Sequence, residues 1–409
     1  MSKENKDLIV GLDIGTSKVV ALVAEITAEG NLNVIGMGSQ ESRGLKKGVV
    51  VNIDETVGTI SRVIQEVELM ADCKVRNVYT GIAGSHIKSF NSDGMVAIKD
   101  KEVTPTDVER VMETARARPI PADQEILHTL RQEFVIDGQD GIREPIGMSG
   151  MRLEVKVHIV TGAVSAAQNI VKCVRRGGLE VNDIVLQPLA SSYAVLSEDE
   201  KDLGVCLIDI GGGTTDIAVW RQGAIRHTSV IPIAGDQVTN DIAMAFRTPT
   251  RDAEELKCKY GCALAQLADP EDFLDVVGVD DRPTRKLSRL ALAEIIQPRI
   301  EELYELIQQE LCQAGFEDVL SSGIVITGGA AVMPGMIELG EEIFHMPVRL
   351  GVPKYTGSLA DMVRSPRFAT AFGLLLEAHA QHRRGQKVKE KRSVKDVFSS
   401  MASWLEKNF

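Results

Sequence analysis

The same short signature occurs twice in this chain. Residues 10–18 read V-G-L-D-I-G-T-S-K, and residues 207–216 read L-I-D-I-G-G-G-T-T-D. Each is an apolar run ending on an aspartate, Asp13 or Asp209. A glycine-rich turn with hydroxyl residues follows, then a second apolar run at 19–26 or 217–220. Glycines let the backbone come close to phosphate oxygens and aim successive N–H groups at them. The hydroxyls of Thr16, Ser17, Thr214 and Thr215 can add hydrogen bonds, and an aspartate at each strand end can hold a hydrated Mg²⁺ between the turns. A single strand–turn–strand piece of this kind is a common hairpin. Two near-identical copies about 196 residues apart predict an internal repeat, with a phosphate-gripping hairpin in each half.

A length of 409 residues exceeds one typical core and predicts at least two domains. The six cysteines are scattered, and Cys258 and Cys262 have no second pair or histidine at zinc spacing, so they read as reduced core thiols. The polar start M-S-K-E-N-K-D predicts no signal peptide, and no stretch approaches a membrane span. The net charge is −12, yet residues 381–409 hold eight Lys/Arg against three Asp/Glu. An acidic body excludes nucleic acid as the main partner.

Periodicity predicts a hairpin at 8–26, strands at 32–38 and 49–53, a helix at 54–72 and a strand at 78–83. Residues 85–160 form a unit of their own, with a helix at 105–117 opened by T-P-T-D. Helices are expected at 164–176 and 188–199. The second half restarts at 204 and continues with helices at 235–246 and 250–261. A long helix at 290–314 is expected to bend or break at Pro298, and a further helix at 366–380. His86, His128 and His158 stand singly on strands of the 85–160 unit and read as structural.

Further motifs share the pattern. I-V-I-T-G-G-A-A-V-M-P-G at 324–335 is a strand, a double glycine and a helix start, suited to close approach of an adenosine. L-Q-P-L-A-S-S-Y-A-V-L at 186–196 and A-T-A-F-G-L at 369–374 resemble two small-residue helices that connect two lobes. In this order the motifs resemble the superfamily of actins, heat-shock chaperones and sugar kinases. Within it the chain is most similar to the FtsA family of bacterial cell-division actin homologues. The further carriers of that likeness are S-R-G-L-K-K-G at 42–48, L-M-A-D-C at 69–73, the 85–160 unit, D-A-E-E-L-K-C-K-Y-G at 252–261 and the ending S-W-L-E-K-N-F.

The resemblance implies an α/β, two-lobed actin-like fold made of duplicated ribonuclease-H-like domains. Residues 8–84 and 161–200 would form the first-lobe core, and 85–160 an inserted interaction subdomain. Residues 201–246 and 315–380 would form the second-lobe core, and 247–314 its small subdomain. A basic linker at 381–392 and an amphipathic helix at 393–409 would follow. The resemblance also implies ATP and Mg²⁺ as cofactors. Asp13, Gly15, Thr16, Ser17 and Lys18 would form the first phosphate turn. Asp209, Gly211, Gly212, Gly213 and Thr214 would form the second, with Asp13 and Asp209 near Mg²⁺ through water. Gly235 would open a helix facing the nucleotide. Glu254 and Lys257 would reach the ribose and adenine side, and Gly328, Gly329, Ala330 and Met333 would line the adenosine. Gln187 stands where superfamily ATPases place a water-orienting side chain.

Residues 393–409 read S-V-K-D-V-F-S-S-M-A-S-W-L-E-K-N-F. At helical spacing Val394, Val397, Phe398, Met401, Trp404, Leu405 and Phe409 fall within an arc of about 140°. The linker before them supplies Arg383, Arg384, Lys387, Lys389, Lys391 and Arg392. That is the pattern of an interfacial membrane helix with a polybasic collar.

The implied role is a cell-division scaffold, at most a weak ATPase. It would self-associate into filaments and tether the tubulin-like FtsZ ring to anionic lipids on the inner face of the cytoplasmic membrane. The C-terminal peptide of FtsZ would meet the small subdomain at Arg299 and Glu302, and later division proteins would meet residues 85–160. The alternatives are a pilus-platform actin homologue and a sugar-kinase-like phosphotransferase, and fold alone does not choose among them.

Overall fold

A computed structural model describes residues 8–279 and 283–384. The chain opens with a meander: β1 (Leu8–Ile14), β2 (Lys18–Ile26) and β3 (Leu32–Glu41). A short hairpin, β4 (Leu45–Lys46) and β5 (Val49–Val50), leads to α1 (Ile53–Ala71) and β6 (Asn77–Ile82). The Asn52 side chain caps α1 by accepting from the Glu55 N–H, and Asp72 ends it in the left-handed region.

The inserted unit follows as β7 (Lys88–Ala97), α2 (Pro105–Arg116), β8 (Gln124–Ile136), β9 (Gln139–Ile142) and β10 (Arg152–Ala163). Thr104 and Asp107 form a reciprocal capping box at the start of α2, with Pro105 at the first helical position. The unit has its own sheet, ordered β7-β10-β8-β9, and its own core around Phe134, Leu153 and Ile159. It leans on the second lobe. Ser89 donates to the Thr228 carbonyl at 2.8 Å, and Gln132 to that of Ile225 at 2.9 Å.

The first lobe closes with α3 (Val164–Arg176), β11 (Glu180–Leu186), α4 (Gln187–Val195) and α5 (Glu198–Leu203). The expected single helix at 188–199 is two. Leu196 leaves the helix in an extended conformation, and Ser197 with Glu200 caps a new one.

The second lobe restarts as β12 (Val205–Ile210), β13 (Thr215–Arg221), β14 (Ala224–Ile231) and α6 (Gly235–Phe246). Its small subdomain holds α7 (Thr250–Tyr260), β15 (Phe273–Val276), β16 (Arg285–Ser288) and α8 (Arg289–Gln313). Helix α8 is continuous through Pro298, so the proline marks no junction there. Pro298 and Glu294, whose carbonyl loses its helical donor, are both exposed, so water can satisfy that carbonyl. The chain ends with β17 (Ile324–Thr327), α9 (Met336–Phe344), β18 (Val348–Leu350), α10 (Ala360–Val363) and a last helix, α11, at 369–384. Residues 381–384, expected as linker, extend this helix, and Gln381 donates to Asp183 at 2.7 Å. Residues 385–409, with the rest of the basic linker and the amphipathic tail, lie outside the described residues.

The duplication shows in the sheets. The first is ordered β3-β2-β1-β6-β11 and the second β14-β13-β12-β17-β18. In each, a three-strand antiparallel meander is extended by two parallel strands on the side of its first strand. The central strands β1 and β12 are apolar along nearly their whole length because both sheet faces are covered. Leu12, Leu22, Ile60 and Ile82 are fully buried in the first core and Ile208, Ile210 and Tyr304 in the second. Each such aliphatic side chain contributes about 1.5–3 kcal/mol.

Helices α4 and α11 cross between the lobes with their backbones in contact. A Cβ at Gly373 would lie 1.8 Å from the carbonyl oxygen of Ala190, so only glycine fits there.

Candidate nucleotide and cation site

The two signature turns are built alike. The Gly15 N–H donates to the Lys18 carbonyl at 3.0 Å, and the Gly211 N–H to the Thr214 carbonyl at 3.0 Å. They face one another across the cleft between the lobes. A Cβ at Gly212 would lie 1.7 Å from Ser17 Oγ, and one at Gly213 2.7 Å from Thr16 Oγ1. Asp13 and Asp209 end the central strands β1 and β12 on either side.

Helix α6 is pinned to the second turn. Its Gly235 and Asp236 N–H groups donate to the carbonyls of Gly211 and Gly212 at 3.1 and 2.7 Å. The Lys257 ammonium donates to the Gly235 carbonyl at 3.0 Å, to Thr239 Oγ1 at 2.8 Å and to Glu254 at 2.6 Å. Glu254 and Lys257 therefore form a half-sunk network against the start of α6, rather than a solvated pair. The parallel pairing of β17 with β12 sets Thr327 opposite Asp209 and delivers Gly328 to the cleft. Gly328 has φ +94, and a Cβ there would lie 2.4 Å from the Ile210 carbonyl oxygen. Gly329 faces open space.

These residues line one cavity of about 270 Å³: Asp13, Gly15 to Lys18, Gln187, Asp209, Gly211 to Thr214, Gly235, Glu254, Lys257 and Gly328 to Ala330. Met333 is absent from this lining. The single turn at Ala330–Val332 swings it onto the second-lobe core instead. Cys258 lines the cavity mouth and is exposed, as is Cys312, so neither is the core thiol expected.

Residues given no role in the sequence reading line the cavity, as Asp216 and Thr370 do, or stand behind it, as Ser191 does. Asp216 is the cross-strand partner of Asp209 and lies buried, with Oδ1 unpartnered. Ser191 and Thr370, from the two crossing helices, hydrogen-bond to Asp209. Lys18 donates to the Arg367 carbonyl and lies over the Phe368 ring, 4.5 Å from its centroid.

The carboxyls around the cleft are shifted chiefly by burial. Burial pushes the Asp13 carboxyl from 3.8 up to about 7; Lys18 opposes this and Asp209 adds to it. Burial raises Asp209 too, and pushes Asp216 well above the usual range with help from Asp209. Burial lowers Lys18 to about 8, against the pull of Asp13. Three carboxylates beside one ammonium call for further positive charge. Among the described residues no three His, Cys, Asp or Glu converge at metal-ligand spacing. That donor set fits Mg²⁺, which keeps several waters and takes one or two carboxylates together with phosphate oxygens.

Gln187 lines the cavity, and its amide donates to Asp13 Oδ1 at 3.1 Å. Arg299 and Glu302 lie on α8 in the small subdomain. Arg299 grips Asp241 of α6 with two bonds, 2.6 and 3.1 Å, and also bonds Glu302. The six residues expected to meet a membrane, Val394, Val397, Phe398, Met401, Trp404 and Leu405, lie outside the described residues. Among the described residues no helix is long and apolar enough to cross a membrane.

Known proteins agree with this architecture. Residues 206–373 match the family model of cell division protein FtsA, and residues 84–161 match that of the SHS2 domain inserted in FtsA. The chain is 62% identical to cell division protein FtsA of Pseudomonas aeruginosa, over 92% of this chain and 90% of that one. It is 50% identical to that of Neisseria meningitidis, over 97% and 98%. Among solved structures, a PilM-PilN type IV pilus biogenesis complex aligns with TM-score 0.66 at 19% identity, covering 90% of this chain and 98% of that one. MreB5 of Spiroplasma citri bound to AMPPNP aligns with TM-score 0.53 at 14% identity, covering 94% and 98%. The two lobes with facing glycine-rich turns and the inserted unit between them are thus an actin-like fold, and the chain belongs to the FtsA family of cell division proteins.

Proposed function

We propose that this chain binds ATP with Mg²⁺ between its two phosphate turns, and that nucleotide sets the lobe closure that permits self-association into actin-like filaments. The observation that carries the reading is the pair of similarly built turns facing across one cleft, with Ser17 against Gly212 and buried Asp13, Asp209 and Asp216 around it. The turn N–H groups and Lys18 would take the phosphates. Asp13 and Asp209 would hold the hydrated cation, which supplies countercharge to the phosphates and the buried carboxylates. Gly328, Gly329 and Ala330 would admit the adenosine, with Glu254 and Lys257 at its edge. The MreB5 relative is a protein of this fold seen with AMPPNP, which supports a nucleotide in the shared cleft. Turnover is expected to be weak, with the nucleotide acting mainly to close the cleft.

The filament would tether the FtsZ ring to the inner face of the cytoplasmic membrane. The small subdomain would receive the C-terminal peptide of FtsZ near Arg299 and Glu302, and residues 85–160 would receive later division proteins. The tail at 393–409 would lie in the anionic lipid surface. The acidic body gives no reason to expect nucleic acid.

The test is equilibrium titration of ATP against Gly212→Asp. Its Cβ would stand against Ser17 and its carboxylate where phosphate must pass. Loss of ATP binding with retained circular dichroism is expected. Unchanged affinity would sink the assigned pocket.

A further inference from the structure

The two connecting helices carry polar side chains aimed at the cation-binding aspartates. Helix α4 presents Gln187 and Ser191 one turn apart on a single face. The first bonds Asp13 and the second donates its hydroxyl to Asp209 Oδ2. From α11, Thr370 Oγ1 donates to the same Oδ2 at 3.2 Å, and the two hydroxyl oxygens lie 3.0 Å apart. Ser191, Thr370 and Asp209 are all buried. The other carboxylate oxygen, Oδ1, points toward Gly328, where a Cβ would lie 2.5 Å from it.

One oxygen of Asp209 is thus fixed by a hydroxyl from each crossing helix, and the other is left toward the cleft. The backbones of these helices touch beside the clamp, at Ala190 and Gly373. Turning the Asp209 carboxylate requires breaking bonds to both helices. Shifting either helix turns the carboxylate. Outer partners that fix a carboxylate strengthen its hold on a cation because less reorganisation is needed on binding.

We propose that Ser191 and Thr370 are positioning residues that hold Asp209 for the cation and tie the crossing of α4 and α11 to nucleotide occupancy. The inference rests on the nucleotide reading above. Helix α11 runs on to residue 384, so the clamp sits near the start of one continuous helix that leads away from the cleft.

The experiment uses the full chain and a fluorescent ADP analogue, titrated with Mg²⁺ and separately in EDTA. The variants are Ser191→Ala, the near-isosteric Thr370→Val, and Thr370→Ser, which keeps the hydroxyl. Ser191→Ala and Thr370→Val should each raise the Mg²⁺ midpoint about tenfold, the loss expected for one hydrogen bond to a charged group. Affinity in EDTA should stay within about twofold, and Thr370→Ser should restore the parental midpoint. Hydrogen exchange supplies a second readout: MgADP should protect the amides of 369–384 in the parent and much less in the Ser191→Ala, Thr370→Val double variant. Parental Mg²⁺ midpoints in both single variants would overturn the clamp. So would failure of Thr370→Ser to rescue, or an equal loss of affinity in EDTA. A parent that binds no ADP under either condition would overturn the nucleotide reading as well.

Discussion

The side-chain amide of Gln187 donates to Oδ1 of Asp13 over 3.1 Å, which ties the first connecting helix to the first phosphate turn. An amide spent on a carboxylate orients that carboxylate first and a water second. ATP turnover should therefore be slow, and Gln187→Ala should change steady-state phosphate release by less than about tenfold, against the hundredfold or more lost with a true general base. Rapid release that collapses in Gln187→Ala would promote the phosphotransferase reading.

The buried carboxylates predict a pH dependence. Asp13 has a folded value of about 7 against 3.8 unfolded, so the folded state holds the proton more tightly. A raised acid costs stability as pH rises through the window between those values, and the cost is complete above about 7. Asp209 and Asp216 shift in the same direction. Glu200 shifts the other way, down to about 2, but its loss falls below the range that matters here. Burial lowers His86, His128, His158 and His379, which adds stability as pH rises over the same range. The carboxylate trend is therefore read as the difference in melting temperature between parent and Asp13→Asn from pH 5.5 to pH 7.5, with the nucleotide-free parent losing ground as pH rises. Mg²⁺ with ADP should flatten that difference, by supplying the missing countercharge. Superimposable pH profiles of parent and Asp13→Asn would contradict the raised value of Asp13.

The phosphate turns were legible because each is continuous in sequence and the chain repeats it. The inserted unit was legible from its own capping signal and strand pattern. Asp216 stood in the quoted motif yet carried no role, since its importance depends on the register that sets it opposite Asp209. Ser191 and Thr370 lie 179 residues apart, and only the crossing of two helices brings them to one carboxylate. Met333 lies outside the cavity lining because the glycine pair marks where the chain enters the cleft, and the turn at Ala330–Val332 then carries it onto the second-lobe core. The split after Val195 was announced by S-E-D-E at 197–200, a capping-box pattern that helical periodicity overrode.

Membrane attachment should be the joint work of many weak tails. The apolar spacing at 394–409 suits an interfacial face, and nearby basic residues add about 1 kcal/mol each at an anionic surface. Aligned along a filament, each later tail binds at high effective concentration. Trp404→Glu should release the protein from anionic vesicles without touching ATP affinity. Neutralising Arg383, Arg384 and Lys387 should weaken sedimentation in a salt-sensitive way. Equal sedimentation of Trp404→Glu and parent, at matched concentration, would remove the tail as anchor.

The Arg299–Asp241 pair sharpens the expectation for the FtsZ peptide. Arg299 is not a waiting cation: Asp241 engages the Nε and Nη2 edge of its guanidinium, and Nη1 bonds Glu302. The pair staples α8 to α6, and each partner's side chain is 28% exposed. For such a half-buried pair a coupling of roughly 1 kcal/mol is expected from a double-mutant cycle of thermal or urea unfolding. An acidic peptide docking on Arg299 would have to compete with Asp241 for the same donors. Asp241→Asn weakens that competitor, keeping its shape but only one acceptor oxygen for Arg299. It should therefore tighten the FtsZ C-terminal peptide, whereas Arg299→Glu should abolish binding. If Asp241→Asn leaves peptide affinity unchanged while Arg299→Glu only lowers stability, Arg299 is a staple within the small subdomain and the peptide docks elsewhere. Peptide titration by fluorescence anisotropy, run beside the unfolding curves, separates the two roles.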